Sequence, residues 1–202
     1  RADRLSLYGY PVPTTPRLDA FAKSATVYEH ATPVGVWTLP THTAMFTGLR
    51  ETSHGLRTYA RWLDGAHETL AEQLLASGYD TFAFSANPMV SPITNLTQGF
   101  ETVHTSFARP GARGDRYTRP SRRATRQKLI PGDASGELSP GWVGREGGSN
   151  WGPRVMFKDA GPVAHQALVD FLDERPGRQK PFFAYLNLME AHSPRIPSMG
   201  SR

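Results

Sequence analysis

Cysteine is absent from the 202 residues, which excludes disulfides and thiolate-bound metal centres. No apolar run is long enough to cross a bilayer, and no secretory leader opens the chain. Acidic residues are the scarcer charge: 18 Asp and Glu stand against 23 Lys and Arg, for a formal net charge of +5. That excess would suit a polyanion on electrostatic grounds. No base-reading motif accompanies it, however, and much of the arginine falls in one Gly/Pro-rich stretch of the kind that forms a solvated loop. Nucleic acid is therefore not the expected partner. With 38% hydrophobic residues, 19 Gly and 17 Pro, the composition is that of one globular domain with long loops.

What is present is organised around Val36-Trp37-Thr38-Leu39-Pro40-Thr41-His42, continuing through Phe46-Thr47-Gly48 to His54-Gly55. An apolar run stops at a small hydroxyl residue, Pro40 follows two residues later, and a compact helical pattern ends at Gly48. Proline is tolerated in a helix's first turn and glycine fits just past its last, so a short helix is predicted to start at or beside Thr38. There the threonine hydroxyl lies near unpaired N–H groups and the positive end of the helix dipole, a favourable place for an anionic group. The plainer role for Thr38 is that of a helix cap.

In chain order, Arg1 to Pro13 reads as loop, with Asp3 a structural turn residue. Pro16, with Leu18, Phe21, Ala22 and Ala25, predicts a capped amphipathic helix. Residues 26–32 alternate as a short strand would, and 50–65 read as polar loop in which His54-Gly55 makes a turn. A helix is predicted over 68–77, stopped by Gly78, and then a buried strand over 79–85: a helix-to-strand unit of parallel-sheet type. Asn87 falls at that strand's end, where ligands gather in α/β sheets, although a turn role before Pro88 is the plainer reading. Residues 107–160, which hold Arg109, Arg113, Arg116 and Arg119 among others, lack periodicity and read as an insertion. Gly161-Pro162 opens a further helix in which His165 is a surface or packing residue, and residues 181–188 form a central strand. The loop leaving that strand carries Glu190-Ala191-His192-Ser193-Pro194, so His192 should share a sheet rim with Thr38.

Taken together, the ordered set resembles the nucleophile region and flanks of the sulfatase branch of the alkaline phosphatase superfamily. Thr38-Leu39-Pro40-Thr41-His42 corresponds to that family's Cys or Ser, any residue, Pro, Ser, Arg. The opening Arg1-Ala2-Asp3-Arg4-Leu5 with Tyr8-Gly9-Tyr10, the segment Thr15-Pro16-Arg17-Leu18-Asp19, and the late His192-Ser193-Pro194 also match. The resemblance implies an α/β fold, an alkaline phosphatase-like α/β/α sandwich with a mostly parallel central sheet, incomplete at both ends. It implies a single partial catalytic domain over 1–202.

The activity implied is metal-dependent hydrolysis of sulfate or phosphate esters, whether of small molecules, glycans or lipids. Thr38 would be the nucleophile and a ligand to a divalent metal (Ca, Zn, Mn or Mg), and His192 would be a second catalytic residue. His42 and Asn87 would bind substrate. The remaining metal ligands are expected outside the chain, before Arg1 and beyond Arg202, so this segment alone should be inactive. Two departures matter. Thr38 cannot yield the formylglycine aldehyde that Cys or Ser gives, and His42 replaces a permanent guanidinium. Gly-Lys-Trp-His, frequent in sulfatases, is Ser85-Ala86-Asn87-Pro88 here. A phosphotransferase of the same superfamily, or a catalytically inactive anion-binding relative, are the alternatives these departures leave open.

Overall fold

The computed structural model describes residues 2–56, 62–106, 160–175, 180–189 and 191–192. The insertion expected at 107–160 lies, but for Ala160, outside the described residues. The chain packs as two units, Arg1–Pro33 and Val34–Arg202.

In the first unit, two 3₁₀ turns, Ala2–Arg4 and Ser6–Tyr8, precede helix α1, Pro16–Ala22. Asp3 belongs to the first turn, beside Arg4 at 3.9 Å. Proline in the first turn of α1 removes an N–H that would have had no partner. The helix is tied back by Asp19, whose carboxylate accepts from the hydroxyls of Ser6 at 2.5 Å and Thr15 at 3.2 Å. The strand expected at 26–32 does not form. Those residues form no regular element, with Tyr28 72% exposed and its carbonyl accepting from the Tyr8 hydroxyl at 3.0 Å. Alternation yields a strand only where a sheet edge is offered to its N–H and C=O groups, and the described residues of this unit offer none.

The second unit is built on a three-stranded parallel sheet of order β2-β1-β3, with β1 Asp80–Ser85, β2 Thr102–Thr105 and β3 Phe182–Asn187. Ser85, last in β1, is in register with Thr105 and Asn187, so all three strands end on one rim. Helix α2 is Thr38–Thr47. A single turn, α3, Glu51–His54, interrupts the segment expected as loop, and α4 is Leu70–Ala76. Thr69 and Glu72 cap α4 reciprocally: the Thr69 hydroxyl accepts from the Glu72 N–H, and the Glu72 carboxylate accepts from the Thr69 N–H. Two unpaired helix donors are satisfied this way.

Strand alternation sorts the core into two layers. Ala83, Phe183 and Tyr185 pack with Leu39, Phe46 and Ala71 from α2 and α4. Phe82, Phe84, Ala184 and Leu186 face the opposite way, onto Ala164, Leu168 and Phe171 of α5, Gly161–Glu174. Helices on both faces of a parallel sheet are the expected α/β/α arrangement. At the rim where the strands begin, Arg175 pairs with Asp80 at 3.1 Å and lies over the Phe182 ring at 4.8 Å.

One contact fixes how α4 meets the turn before β2. Gly99 has φ +88°, and a Cβ there would fall 2.4 Å from the Glu72 nitrogen and 2.8 Å from the Ala71 carbonyl carbon. The close approach is stitched by the Thr69 hydroxyl, which donates to the Gln98 carbonyl at 3.1 Å, and by Gln98, whose Nε2 donates to the Glu72 carboxylate at 2.9 Å.

Candidate active site

Helix α2 starts at Thr38, with Trp37 in the cap position and no side-chain bond from Trp37 to the first-turn N–H groups. Pro40 removes one of those donors, and Gly48, at φ +69°, ends the helix as the sequence predicts. The Thr41 hydroxyl turns away to the Gly35 carbonyl, 2.9 Å. Thr38 is half-buried, while Leu39 and Pro40 behind it are buried. The helix therefore presents a hydroxyl and its positive end together, with no side-chain cap neutralising the first turn.

His42, one turn further along, points inward. Its Nδ1 lies 2.7 Å from the Thr38 carbonyl oxygen and its Nε2 lies 3.2 Å from Asn187 Nδ2. A carbonyl only accepts, so Nδ1 carries the proton. Nε2 then accepts from the Asn187 amide, as a neutral imidazole allows. Burial holds this imidazole below the ordinary histidine range, against the opposing pull of the Thr38 carbonyl. The ring stands edge-on to Phe46 at 6.4 Å and Tyr185 at 6.3 Å between centroids.

Asn187 ends β3 and brings α2 to the rim on which the strands finish. Asn87 follows β1 on that rim, where the neighbouring Ala86 N–H donates to the Asn187 carbonyl at 2.9 Å. Asn87 is buried. Its Oδ1 accepts from the Met89 N–H at 3.0 Å, the turn expected before Pro88. His192 is exposed in the turn that leaves β3, its N–H donating to the Met189 carbonyl at 3.1 Å. Thr38, His42 and Asn87 are thus gathered around the ends of β1 and β3, and His192 lies five residues past Asn187 in the chain.

His54 also proves to be buried: its Nδ1 accepts from the Leu56 N–H at 3.1 Å and Gly55 supplies the turn at φ +72°. Burial foremost lowers its proton affinity. This is a structural histidine at the end of α3, in keeping with the turn expected there. Asn187 is the rim residue that sequence reasoning passed over. Its signal was a lone amide at the end of the otherwise apolar run Pro181-Phe182-Phe183-Ala184-Tyr185-Leu186.

The side chains gathered here supply few ligands for a divalent ion. Among the described residues, no three His, Cys, Asp or Glu side chains converge on a point. The polar side chains described at this rim are the Thr38 alcohol, a neutral His42 imidazole whose two nitrogens are engaged, and the amides of Asn87 and Asn187. The Glu51 carboxylate lies on the Gly35–Thr41 side of the first turn. Hard divalent cations need several oxygen donors, carboxylates above all. The described residues alone do not fit such an ion, and no chemical step is derived through one. No described helix is long and apolar enough to cross a membrane.

A profile of the Sulfatase family matches residues 1–198. No curated protein matches the sequence. Among solved structures, the phosphonate monoester hydrolase of Agrobacterium radiobacter superposes with a TM-score of 0.58 at 18% identity. The match takes in 98% of this chain and 40% of that one. The chain thus spans well under half the length of that structure, and at this identity the likeness concerns the fold.

Proposed function

The chain belongs to the sulfatase family of the alkaline phosphatase superfamily, and from that premise we propose that it contributes the nucleophile half of a hydrolase for sulfate or phosphate esters, with Thr38 as the attacking group. The single observation that supports this most is Thr38 at the start of α2, where the first-turn N–H groups carry no side-chain cap. A tetrahedral anion entering there meets backbone donors and the helix dipole on one side and the hydroxyl on the other. The Thr38 oxygen forms a bond to sulfur or phosphorus as the bond to the ester oxygen breaks, the hydroxyl's proton ending on the departing alcohol and a covalent ester remaining on the protein. Water then cleaves that ester and releases the inorganic acid. Exposed on the loop beyond β3, His192 supplies a hydrogen bond to the departing oxygen, a task suited to imidazole at neutral pH. The amide of Asn87 faces the non-bridging oxygens.

Threonine's Cβ carries a methyl group, so it cannot become an aldehyde, and the chemistry proposed is that of the alcohol itself. That favours phosphorus over sulfur as the centre attacked. The test is Thr38→Ala and Thr38→Ser in the full-length protein, assayed with 4-nitrophenyl sulfate, phosphate and phosphonate esters, each with and without added divalent metal. Serine should retain turnover and alanine should lose at least about 1,000-fold, the scale of removing a nucleophile. Equal turnover in alanine and wild type sinks the proposal. Tight, uncatalysed binding of sulfate or phosphate by both would favour a purely anion-binding relative. The metal arms decide the family's implied cofactor.

A further inference from the structure

We infer that His42 and Asn187 form one positioning unit that sets the first turn of α2 against the end of β3, and with it the aim of the Thr38 hydroxyl. The assignment rests on Thr38 being the reacting group. A side chain in the place of the family's arginine invites a substrate-binding role, yet both imidazole nitrogens are already committed within the protein. Nδ1–H donates to the Thr38 carbonyl at 2.7 Å, and Nε2 accepts from Asn187 Nδ2 at 3.2 Å. The first bond holds the peptide plane that follows Thr38. The second anchors that plane to a residue 145 positions away in sequence. Threonine's branched Cβ leaves two preferred χ1 wells in a helix, so fixing the adjacent backbone narrows its oxygen to two directions.

The strand side is equally determined. Asn187 Nδ2 also donates to the Tyr185 hydroxyl at 3.1 Å, so both amide hydrogens are used. Tyr185 and Asn187 alternate on β3 and therefore project to the same face, towards α2. Phe46 closes the arrangement, its ring 4.9 Å from that of Tyr185. The chain retains this amide at a cost, because Asn187 Oδ1 is buried with no partner among the described residues. An apolar residue of similar size would avoid an unsatisfied acceptor. A side chain with two N–H donors serves the His42 and Tyr185 acceptors together, which suits an asparagine at the end of a run of apolar residues.

Three variants of the full-length protein test the unit: His42→Phe, which keeps a ring between Phe46 and Tyr185, Asn187→Leu, and the double variant. If the unit aims Thr38, each single variant loses about 10- to 100-fold in kcat, the penalty of a misplaced reacting group. KM should hold within about 2-fold, because a substrate-binding role would raise KM instead. The double variant should be no worse than the more affected single one, since partners in one unit are not additive. His42→Asn, whose amide nitrogen can still donate to the Thr38 carbonyl, should recover part of the lost kcat. Nitrogen-15 imidazole spectra should show His42 protonated at Nδ1 only, with the Nε2 signal shifting in Asn187→Leu.

Unchanged kcat in the single variants while Thr38→Ala is inactive overturns the unit and leaves the function standing. A proton on Nε2 of neutral His42 overturns it whatever Thr38 does. Full activity in Thr38→Ala removes the functional reading, and the unit's catalytic role falls with it.

Discussion

Replacing Gly99 with alanine places a methyl group where the backbone of α4 already is. The new Cβ would stand 2.4 Å from the Glu72 nitrogen and 2.8 Å from the Ala71 carbonyl carbon. The Glu72 side chain, 2.7 Å away at its Cγ, can swing aside, but the two backbone atoms cannot without moving the helix start. Residue 99 also sits at φ +88°, a left-handed conformation that costs an alanine about 1–2 kcal/mol. Forcing a carbon into closed packing adds about 1–3 kcal/mol. Displacing Glu72 also threatens the reciprocal cap with Thr69, which would add about 1 kcal/mol. The sum is about 2–6 kcal/mol, a large share of the ~5–15 kcal/mol that holds a domain folded.

Gly78 provides the control, because it has the same φ of +88° with nothing within 4 Å of its Cβ position. Gly78→Ala should therefore show the backbone penalty alone, about 1–2 kcal/mol. Urea unfolding followed by far-UV circular dichroism separates the two. With a slope of about 2 kcal/mol per molar urea, Gly99→Ala should unfold at least about 0.5 M earlier than Gly78→Ala, at an unchanged slope. Equal midpoints for the two variants would refute the close approach of α4 to the 98–101 turn.

Acidification should destabilise the fold through His42 and His54, whose folded-state proton affinities are both lowered by burial. The unfolded chain then takes up protons first, so this stability is complete above about pH 6.5 and is lost as pH falls below it. Urea midpoints between pH 8 and 5 should fall more in the wild type than in His54→Gln, and parallel curves would contradict the assignment. At the opposite rim, Arg175→Met should cost about 3 kcal/mol, because it leaves the Asp80 carboxylate largely buried and unpaired. Asp80→Asn combined with Arg175→Met should recover part of that loss, and no recovery would show that Arg175 acts through its packing on Phe182 instead.

The start and end of α2 were legible because Pro40 and Gly48 punctuate it chemically, and Gly78 did the same for the end of α4, whose start, expected at 68, is set at Leu70 by the Thr69 cap. β3 was legible as an unbroken apolar run and β1 as a buried segment after a glycine-stopped helix, although among the described strands β1, not β3, is the inner one. β2 was not legible, since Thr102–Thr105 is too short to show a period and exists by pairing with β1. Residues 26–32 failed the other way: a convincing alternation found no edge to join. Within the candidate site, the placement of Thr38 at the α2 start was a local property and could be read from the chain. The bond from His42 to Asn187 could not be, because it depends on the register of a strand encoded far downstream.

The order β2-β1-β3 makes residues 106–160 a detour between the two flanking strands, with α5 completing the return. Both partners of β1 are fixed by their own ladders, so adding chain between β2 and α5 carries the entropic tax of joining two fixed ends. That tax rises with the logarithm of length, by about 0.6 kcal/mol for each doubling. Relatives can therefore differ in length at this point while the two ladders, and the rim they define, stay in register.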